Sequence, residues 1–279
     1  MSWPSVAPFA ITRRSRDLRR ARARLLASDS TSRRQKRLLT QLSLAVHRRD
    51  TMYERGRGQH YLSVGLSAVA CVEKALRPDH DPDSILDFAC GYGRVLRFLK
   101  VRFPGAHLAA AEIEPPAVGF CRRAFGVQAF ASATSLESLR LPDRYDLIWC
   151  GSLITHLDRP SAGHLLGFFA RHLSTRGLCV FSAHGSVSER RLRSDADAYG
   201  LAPDAARTVL QGFDEAGYGY VDYPGHRGYG ISLVARDTLG ELAIEADLRE
   251  SSFQPQAWDD HHDVYGFVPG ADSGGSLSP

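Results

Sequence analysis

The chain has 279 residues, of which 43% are hydrophobic and 24% are charged. These fractions are typical of a folded globular protein and exclude a small disulfide-stapled scaffold. No apolar run reaches the roughly 18 residues that a membrane-spanning helix requires, so the sequence predicts no membrane span.

The net charge of +4 is unevenly distributed along the chain. Residues 1–50 carry 13 basic and 3 acidic side chains, a net charge of +10, and the remainder carries −6. We therefore predict a basic helical N-terminal arm over 1–54, a separate domain over 55–268 and a disordered Gly/Ser tail over 269–279. A solvated helix pair is the simplest interpretation of the arm. Contact with RNA or another anionic surface, or an organellar transit peptide, are the alternatives.

The cysteine pattern indicates a reducing compartment. There are five cysteines, an odd number, and no two of them form a C-x-x-C pair. Scattered single cysteines in apolar surroundings are typical of reduced core thiols, and the first ten residues lack the features of a secretory signal. We therefore expect a cytoplasmic protein.

The elements after residue 55 follow an alternating pattern. A helix is predicted over 55–76 and ends before Pro78. Short apolar runs then alternate with helical patterns. The predicted strands are 84–89, 107–111, 127–131, 145–150 and 178–183, and the predicted helices are 95–101, 117–125 and 162–173. This alternation predicts βαβ units and a parallel sheet, which binds ligands at the carboxyl ends of its strands.

The first predicted strand runs directly into a glycine-containing loop with the sequence DFACGYG over 87–93. Glycines let the backbone approach a ligand closely, and the following helix N-terminus attracts an anionic group. A dinucleotide fingerprint requires a third glycine, but Leu96 stands there. The carboxylate of Asp87 repels a pyrophosphate and attracts an ammonium group.

An acidic residue, Glu112, ends the second predicted strand. A carboxylate at that place can accept both hydroxyl groups of a ribose. An exposed carboxylate at a helix N-terminus is the alternative when Glu112 is considered alone. Together with Asp87 and the glycines, ribose binding is the favoured interpretation.

The stretches ILDFACGYGRVLRFL (85–99), AAAEIEPPAVGFC (109–121) and YDLIWCGSLITHL (145–157) resemble the class I S-adenosylmethionine-dependent methyltransferases. The resemblance covers roughly 55–268. It implies a Rossmann-like doubly wound α/β sheet of seven strands, mostly parallel with a C-terminal antiparallel hairpin, and helices on both faces. The runs 248–253 and 262–268 fit that hairpin, after a helix over 239–246.

Three further signals are similar to one bacterial group within this family. They are Tyr61 with Gly65 in the helix before the first strand, Thr155-His156-Leu157 after the fourth strand, and Tyr229-Gly230. Members of that group are often associated with glycan or secondary-metabolite chemistry, but the signals do not identify the acceptor.

The resemblance implies S-adenosylmethionine as the cofactor. In this family the loop residues line the methionine end, Glu112 holds the ribose and Ile113 flanks the adenine. Two positions depart from the family pattern: Ala89 replaces the first loop glycine, and Ser132 stands where an acidic residue often contacts the adenine amine. The residues predicted to bind the cofactor are Asp87, Ala89, Cys90, Gly91, Gly93, Glu112, Ile113, Ser132 and Cys150.

The methyl group of a sulfonium cofactor is already activated, so the protein must align the acceptor and, where needed, remove its proton. His156 after the fourth strand and His184 after the fifth are the predicted catalytic residues, because histidine titrates near neutral pH. A capping or packing role for His156 and a turn-completing role for His184 are the alternatives.

The acceptor is predicted to contact aromatic and polar side chains: Tyr61, Tyr223, His226 and Tyr229. The glycine-rich segment 218–229 suits a flexible lid over a ring-shaped acceptor, and the alternative is an edge hairpin with surface tyrosines. We predict no metal site. His261 and His262 head the final strand, where neighbouring side chains point to opposite faces.

The sequence thus predicts an enzyme, a methyltransferase that moves a methyl group to oxygen or nitrogen of a small molecule or glycan. An RNA methyltransferase recruited by the basic arm and a non-catalytic cofactor-binding scaffold subunit are the alternatives. An NAD-dependent dehydrogenase is disfavoured by the missing glycine and by Asp87. The oligomeric state is not predicted.

Overall fold

A computed structural model describes residues 13–78, 81–195 and 198–270. The helices are α1 (Arg13–Ala27), α2 (Arg33–Gln41), α3 (Gly58–Ala75), α4 (Leu96–Arg102), α5 (Pro115–Phe125), α6 (Arg159–His172), α7 (Ser186–Ser194), α8 (Pro203–Ala216) and α9 (Arg236–Glu245). The strands are β1 (Ser84–Phe88), β2 (His107–Glu112), β3 (Gln128–Ala131), β4 (Tyr145–Cys150), β5 (Leu173–His184), β6 (Tyr218–Asp222), β7 (Gly230–Val234), β8 (Leu248–Trp258) and β9 (His262–Pro269). Short 3-10 turns lie at Ile154–His156 and Ala198–Gly200.

Seven strands form the main sheet, in the order β3-β2-β1-β4-β5-β9-β8. β1 pairs with β2, β2 with β3 and β4 with β5 in parallel, whereas β9 pairs antiparallel with both β5 and β8. The sheet is therefore mostly parallel with a C-terminal antiparallel hairpin, which confirms the predicted fold class. None of the helices in the described parts of the chain combines the length and apolar character needed to cross a bilayer.

The chain divides into two compact units. Among the described residues, the first comprises 13–73 and 81–133, and the second comprises 74–78, 134–195 and 198–270. The first unit contains β1, β2 and β3 with α4 and α5 between them. The second contains β4, β5, β8 and β9 and the separate antiparallel pair β6 and β7.

The segment predicted as a basic arm contributes to the core of the first unit. Leu18 of α1 and Leu39 of α2 are fully buried. The buried guanidinium of Arg97 in α4 donates hydrogen bonds to the carbonyl oxygens of Ser43 at 3.0 Å and Ala45 at 2.9 Å. These bonds attach the chain after α2 to the helix that follows the glycine loop. The segment is thus packed into the unit, and the domain boundary near residue 55 stays a prediction.

The second unit contains elements that the sequence pattern did not predict. Helices α7 and α8 and the strands β6 and β7 lie between β5 and α9. They share a small buried core formed by Leu192, Leu201, Ala206, Val209, Ile231 and Leu233. The region predicted as a glycine-rich lid is therefore a hairpin with a core of its own. The predicted C-terminal tail, apart from residues 269 and 270, lies outside the described residues.

Candidate functional site

The loop after β1 has an unusual backbone in the first unit. Ala89, Gly91 and Gly93 all have positive φ angles, of 56°, 54° and 73°. A Cβ atom added to Gly91 would meet no atom within 4 Å, whereas one added to Gly93 would lie 2.4 Å from the ring of Phe125. Gly91 therefore leaves open space beside the loop, and Gly93 is required for packing against α5. Positive φ at Ala89 is costly for a residue with a side chain, and such strain is typical of functional loops.

Asp87 is the most unusual polar residue of this loop. Its side chain is 2% exposed, and its Oδ2 atom has no hydrogen-bond partner among the described residues. Burial, reinforced by the neighbouring carboxylate of Glu112, raises the pKa of Asp87 well above its usual range, and a hydrogen bond from the backbone of Leu96 offsets this in part. A buried acceptor without a partner is rare in a native protein and indicates a place for a ligand donor.

The carboxylate of Glu112, at the end of β2, organises the loop. Its Oε2 accepts the backbone N–H of Gly91 at 2.7 Å, and its Oε1 accepts those of Ile113 at 2.8 Å and Glu114 at 3.2 Å. A carboxylate oxygen accepts up to two hydrogen bonds, so Oε2 retains capacity for a ligand hydroxyl. The structure thus brings Glu112 and Gly91 into direct contact.

Three other residues that are predicted to bind the cofactor lie next to Glu112 or in the glycine loop. The backbone N–H of Ser132 donates to the carbonyl oxygen of Glu112 at 2.8 Å, and that of Cys90 donates to Ala111 at 3.2 Å. Ile113, directly after the end of β2, is 51% exposed. An aromatic ring lying against Ile113 would bury this surface.

The thiol of Cys90 is buried and lies 3.9 Å from that of Cys121. Hydrogen bonding to Cys121, together with burial, raises the pKa of the Cys90 thiol well above its usual range. The side chain of Cys90 is therefore an inert packing group, and its backbone is the part that belongs to the loop. All five cysteines are buried free thiols.

Tyr61 lies in the interior of the first unit. It is buried, its hydroxyl donates to Asp50 Oδ2 at 2.7 Å, and the same oxygen accepts from Arg97 at 3.1 Å. These contacts give Tyr61 a structural role. A residue that the sequence analysis missed, His47, stacks on Tyr92 of the glycine loop with ring centroids 4.6 Å apart. No local motif marks His47, because it reaches the loop only through the packing of the N-terminal segment.

In the second unit, His156 is held by the β6–β7 hairpin. Its Nδ1 lies 2.8 Å from the carbonyl oxygen of Gly230, which can only accept, so the hydrogen resides on Nδ1. The hydroxyl of Tyr218 donates to the carbonyl oxygen of Leu157 at 2.8 Å and attaches the hairpin to the same turn. Burial lowers the pKa of His156, which leaves Nε2 with a lone pair at neutral pH. The ring can therefore accept a proton.

Two of the predicted acceptor-binding tyrosines surround His156. The ring centroid of Tyr229 lies 4.7 Å from that of His156, and the centroid of Tyr223 lies 5.9 Å from it. His226 is exposed, and its ring centroid lies 6.3 Å from that of Tyr229. The second unit thus presents an aromatic cluster around a neutral imidazole.

The remaining predicted residues of this unit are buried. His184 ends β5, and its Nδ1 lies 3.0 Å from the carbonyl oxygen of Ser232. Burial lowers the pKa of His184 to about 3. Cys150, predicted to bind the cofactor, ends β4 and is buried.

Part of the chain is similar to known proteins. Residues 85–177 match a family model described as a methyltransferase domain. A malonyl-[acyl-carrier protein] O-methyltransferase from Anoxybacillus flavithermus is 27% identical over 124 residues, which are 44% of this chain and 47% of that protein. The chain thus spans about half the length of this curated relative.

Solved structures share the fold at low identity. The sugar N-methyltransferase KedS8 from a Streptoalloteichus species is 17% identical and superposes with a TM-score of 0.55, covering 81% of this chain and 94% of that one. An S-adenosylmethionine-dependent methyltransferase from Clostridium acetobutylicum is 15% identical, with a TM-score of 0.50 and coverage of 76% and 92%. Residues 85–177 are thus similar to a methyltransferase domain, and the chain shares its fold with solved methyltransferases, in agreement with the resemblance predicted from sequence.

Proposed function

We propose that this protein binds S-adenosylmethionine and transfers its methyl group to oxygen or nitrogen of a small molecule or glycan in the cytoplasm. The observation that carries the proposal is the buried, unpartnered Oδ2 of Asp87 beside the open backbone of Gly91. An ammonium group is the donor that best satisfies an isolated buried carboxylate, and the methionine end of this cofactor carries one.

The rest of the loop fits the cofactor in the same way. Glu112, whose Oε2 accepts the Gly91 N–H, would hold the ribose of the cofactor, and the exposed Ile113 would offer an apolar surface to its adenine. When bound, the cofactor supplies an electrophilic methyl group on a sulfonium. This chain's residues orient the cofactor and exclude a pyrophosphate, because Asp87 places negative charge where a dinucleotide needs donors.

His156 is the residue that we propose as the general base. Its Nδ1–H is committed to Gly230, so Nε2 is available to take a proton from an acceptor hydroxyl or ammonium group. The neighbouring Tyr223 and Tyr229 suit a ring-shaped acceptor, since aromatic rings stack on apolar faces. His184 is less suited to this role, because it is buried and bonded to β7.

The similar proteins support a compact acceptor. One is named a malonyl-[acyl-carrier protein] O-methyltransferase and another a sugar N-methyltransferase. The acidic balance of residues 51–279 does not favour a polyanionic acceptor. The basic segment packs into the first unit through Leu18 and Leu39. This packing accounts for the segment without a role in RNA binding.

The test is formation of S-adenosylhomocysteine from S-adenosylmethionine with a panel of amino sugars, phenols, carboxylates and a structured RNA. We expect turnover with at least one small acceptor and none with RNA. The His156→Gln variant should lose turnover and retain cofactor binding, and His164→Gln, at an exposed position in the same unit, is the matched control. Cofactor binding without turnover on any acceptor would favour a scaffold subunit, and RNA turnover alone would overturn the small-molecule assignment.

A further inference from the structure

Three histidines converge in the second unit although they are separated along the chain. They are His184 at the end of β5, His261 in the turn before β9, and His262 at the start of β9. One ring nitrogen from each lies within 4.8 Å of the other two. We propose that this cluster is a binding site for a divalent transition-metal ion of the zinc class. The proposal does not depend on the methyl-transfer activity.

The turn explains why two adjacent histidines can share a ligand. Side chains alternate between faces only within a strand, and β9 begins at His262. Trp258 pairs with His262 across the hairpin, and the intervening Asp259 and Asp260 have positive φ angles of 53° and 56°. The turn therefore rotates His261 toward the side of its neighbour, and their ring centroids lie 4.1 Å apart.

Hydrogen bonds fix the orientation of the rings. The Nδ1 of His184 lies 3.0 Å from the carbonyl oxygen of Ser232, and the Nδ1 of His261 lies 2.6 Å from that of Asp259. Carbonyl oxygens only accept, so both rings carry a hydrogen on Nδ1, and Nε2 is the nitrogen that remains for a metal ion. The hydroxyl oxygen of Ser182 lies 3.4 Å from His262 Nδ1 and can accept from it. Metal-ligating histidines are characteristically held by such bonds at their other nitrogen.

The chemistry of the three donors selects the ion. Imidazole nitrogens suit zinc, and magnesium and calcium prefer oxygen ligands. In a tetrahedral site with zinc–nitrogen bonds of about 2.1 Å, two ligand nitrogens lie about 3.4 Å apart. The ring nitrogens, which lie within 4.8 Å of one another, must therefore approach by up to about 1.4 Å on binding. His261 can supply this movement because it lies in a half-buried turn. Three histidines leave a fourth coordination position for water or another oxygen ligand.

The cluster is largely shielded from solvent. His184 and His262 are both buried. The ring of Trp258 lies 5.1 Å from that of His262 and covers one side of the cluster.

The test is titration of the tag-free, chelator-treated full chain with Zn²⁺ by calorimetry and with Co²⁺ by visible absorption. We expect saturation at one equivalent, an intense visible band of four-coordinate cobalt, and a rise in Tm with Zn²⁺ but not with Mg²⁺. His261→Ala should weaken Zn²⁺ binding at least tenfold and abolish the cobalt band. Its position in a turn makes it the ligand whose removal least disturbs the core.

The matched control is His226→Ala, an exposed histidine of the same unit outside the cluster, which should bind as the unmodified chain does. His262→Gln provides a second removal of a ligand. Far-ultraviolet circular dichroism establishes that each variant is folded. Absence of saturable binding near one equivalent, or unchanged Zn²⁺ binding in a folded His261→Ala or His262→Gln variant, would overturn the proposal.

Discussion

The Nδ1 of His156 lies 2.8 Å from the carbonyl oxygen of Gly230, at the start of β7. Two residues further along the same strand, the carbonyl oxygen of Ser232 accepts from His184 in the same way. Alternate carbonyl groups of a strand point to the same side, so one edge of β7 orients both imidazoles. The hairpin therefore sets the tautomer of His156 and of His184, the two histidines predicted to be catalytic.

Replacing His156 by Gln should remove a general base and leave the packing nearly intact. Loss of proton transfer typically lowers the rate by about 10²-fold to 10⁴-fold. We expect kcat to fall in that range and KM for the acceptor to change little, as measured by S-adenosylhomocysteine formation. Unchanged kcat in a folded variant would contradict the assignment.

The pH dependence follows from the direction of the His156 pKa shift. Burial lowers this pKa below the usual 6.5, and only the neutral imidazole can accept a proton. The rate should therefore be independent of His156 ionisation at neutral pH and fall as the pH drops below about 6.5. The acid limb of the kcat profile should disappear in His156→Gln. If the acid limb of the profile persists in His156→Gln, the ionisation of another group must cause it.

Asp87→Asn should stabilise the ligand-free protein while it removes cofactor binding. Because burial raises the pKa of Asp87, ionisation of this group costs stability, and that cost grows as the pH rises above the unfolded value of about 3.9. We expect the Tm of the variant to exceed that of the unmodified chain at pH 8, with the difference shrinking toward pH 4. Asp81→Asn, on an exposed carboxylate, is the control. An equal or lower Tm for Asp87→Asn at pH 8 would be inconsistent with an unpaired buried carboxylate.

The two loop glycines should differ in their tolerance of alanine. A Cβ at Gly93 would lie 2.4 Å from the ring of Phe125, whereas one at Gly91 meets open space. Both substitutions carry the cost of positive φ, about 1 kcal/mol, and only Gly93→Ala adds a clash. Denaturant unfolding should show Gly93→Ala as the less stable variant, with partial recovery in Gly93→Ala/Phe125→Leu. Equal destabilisation of Gly91→Ala and Gly93→Ala would show that the Phe125 ring moves aside without a cost in free energy.

The N-terminal segment should behave as part of the first unit. Leu39 is fully buried, and Leu→Ala at such positions costs about 2–5 kcal/mol of unfolding free energy. Met52, 53% exposed, is the control, and Met52→Ala should change stability by less than about 0.5 kcal/mol. If the segment were instead a detachable arm, Leu39→Ala would leave the unfolding free energy of the whole protein unchanged.

The sequence predicted the alternating core because apolar periodicity and the glycine loop are local signals. Asp87, Gly91 and Glu112 could be assigned from their places at strand ends, and the structure brings them together. The contacts of Arg97 and His47 could not be predicted from the sequence, because their partners lie far away along the chain. The orientation of His261 could not be predicted from strand alternation either, because this residue lies in the three-residue turn before β9.

The most direct measurement is calorimetric titration of the full chain with S-adenosylhomocysteine, with NAD as a comparison ligand. We expect S-adenosylhomocysteine to bind one-to-one in the micromolar range, and NAD not to bind. Binding of S-adenosylhomocysteine should be strongly weakened in Asp87→Asn and in Glu112→Gln and unchanged in Asp81→Asn. A folded protein that binds no S-adenosylhomocysteine, or that binds NAD instead, would contradict the proposed cofactor site.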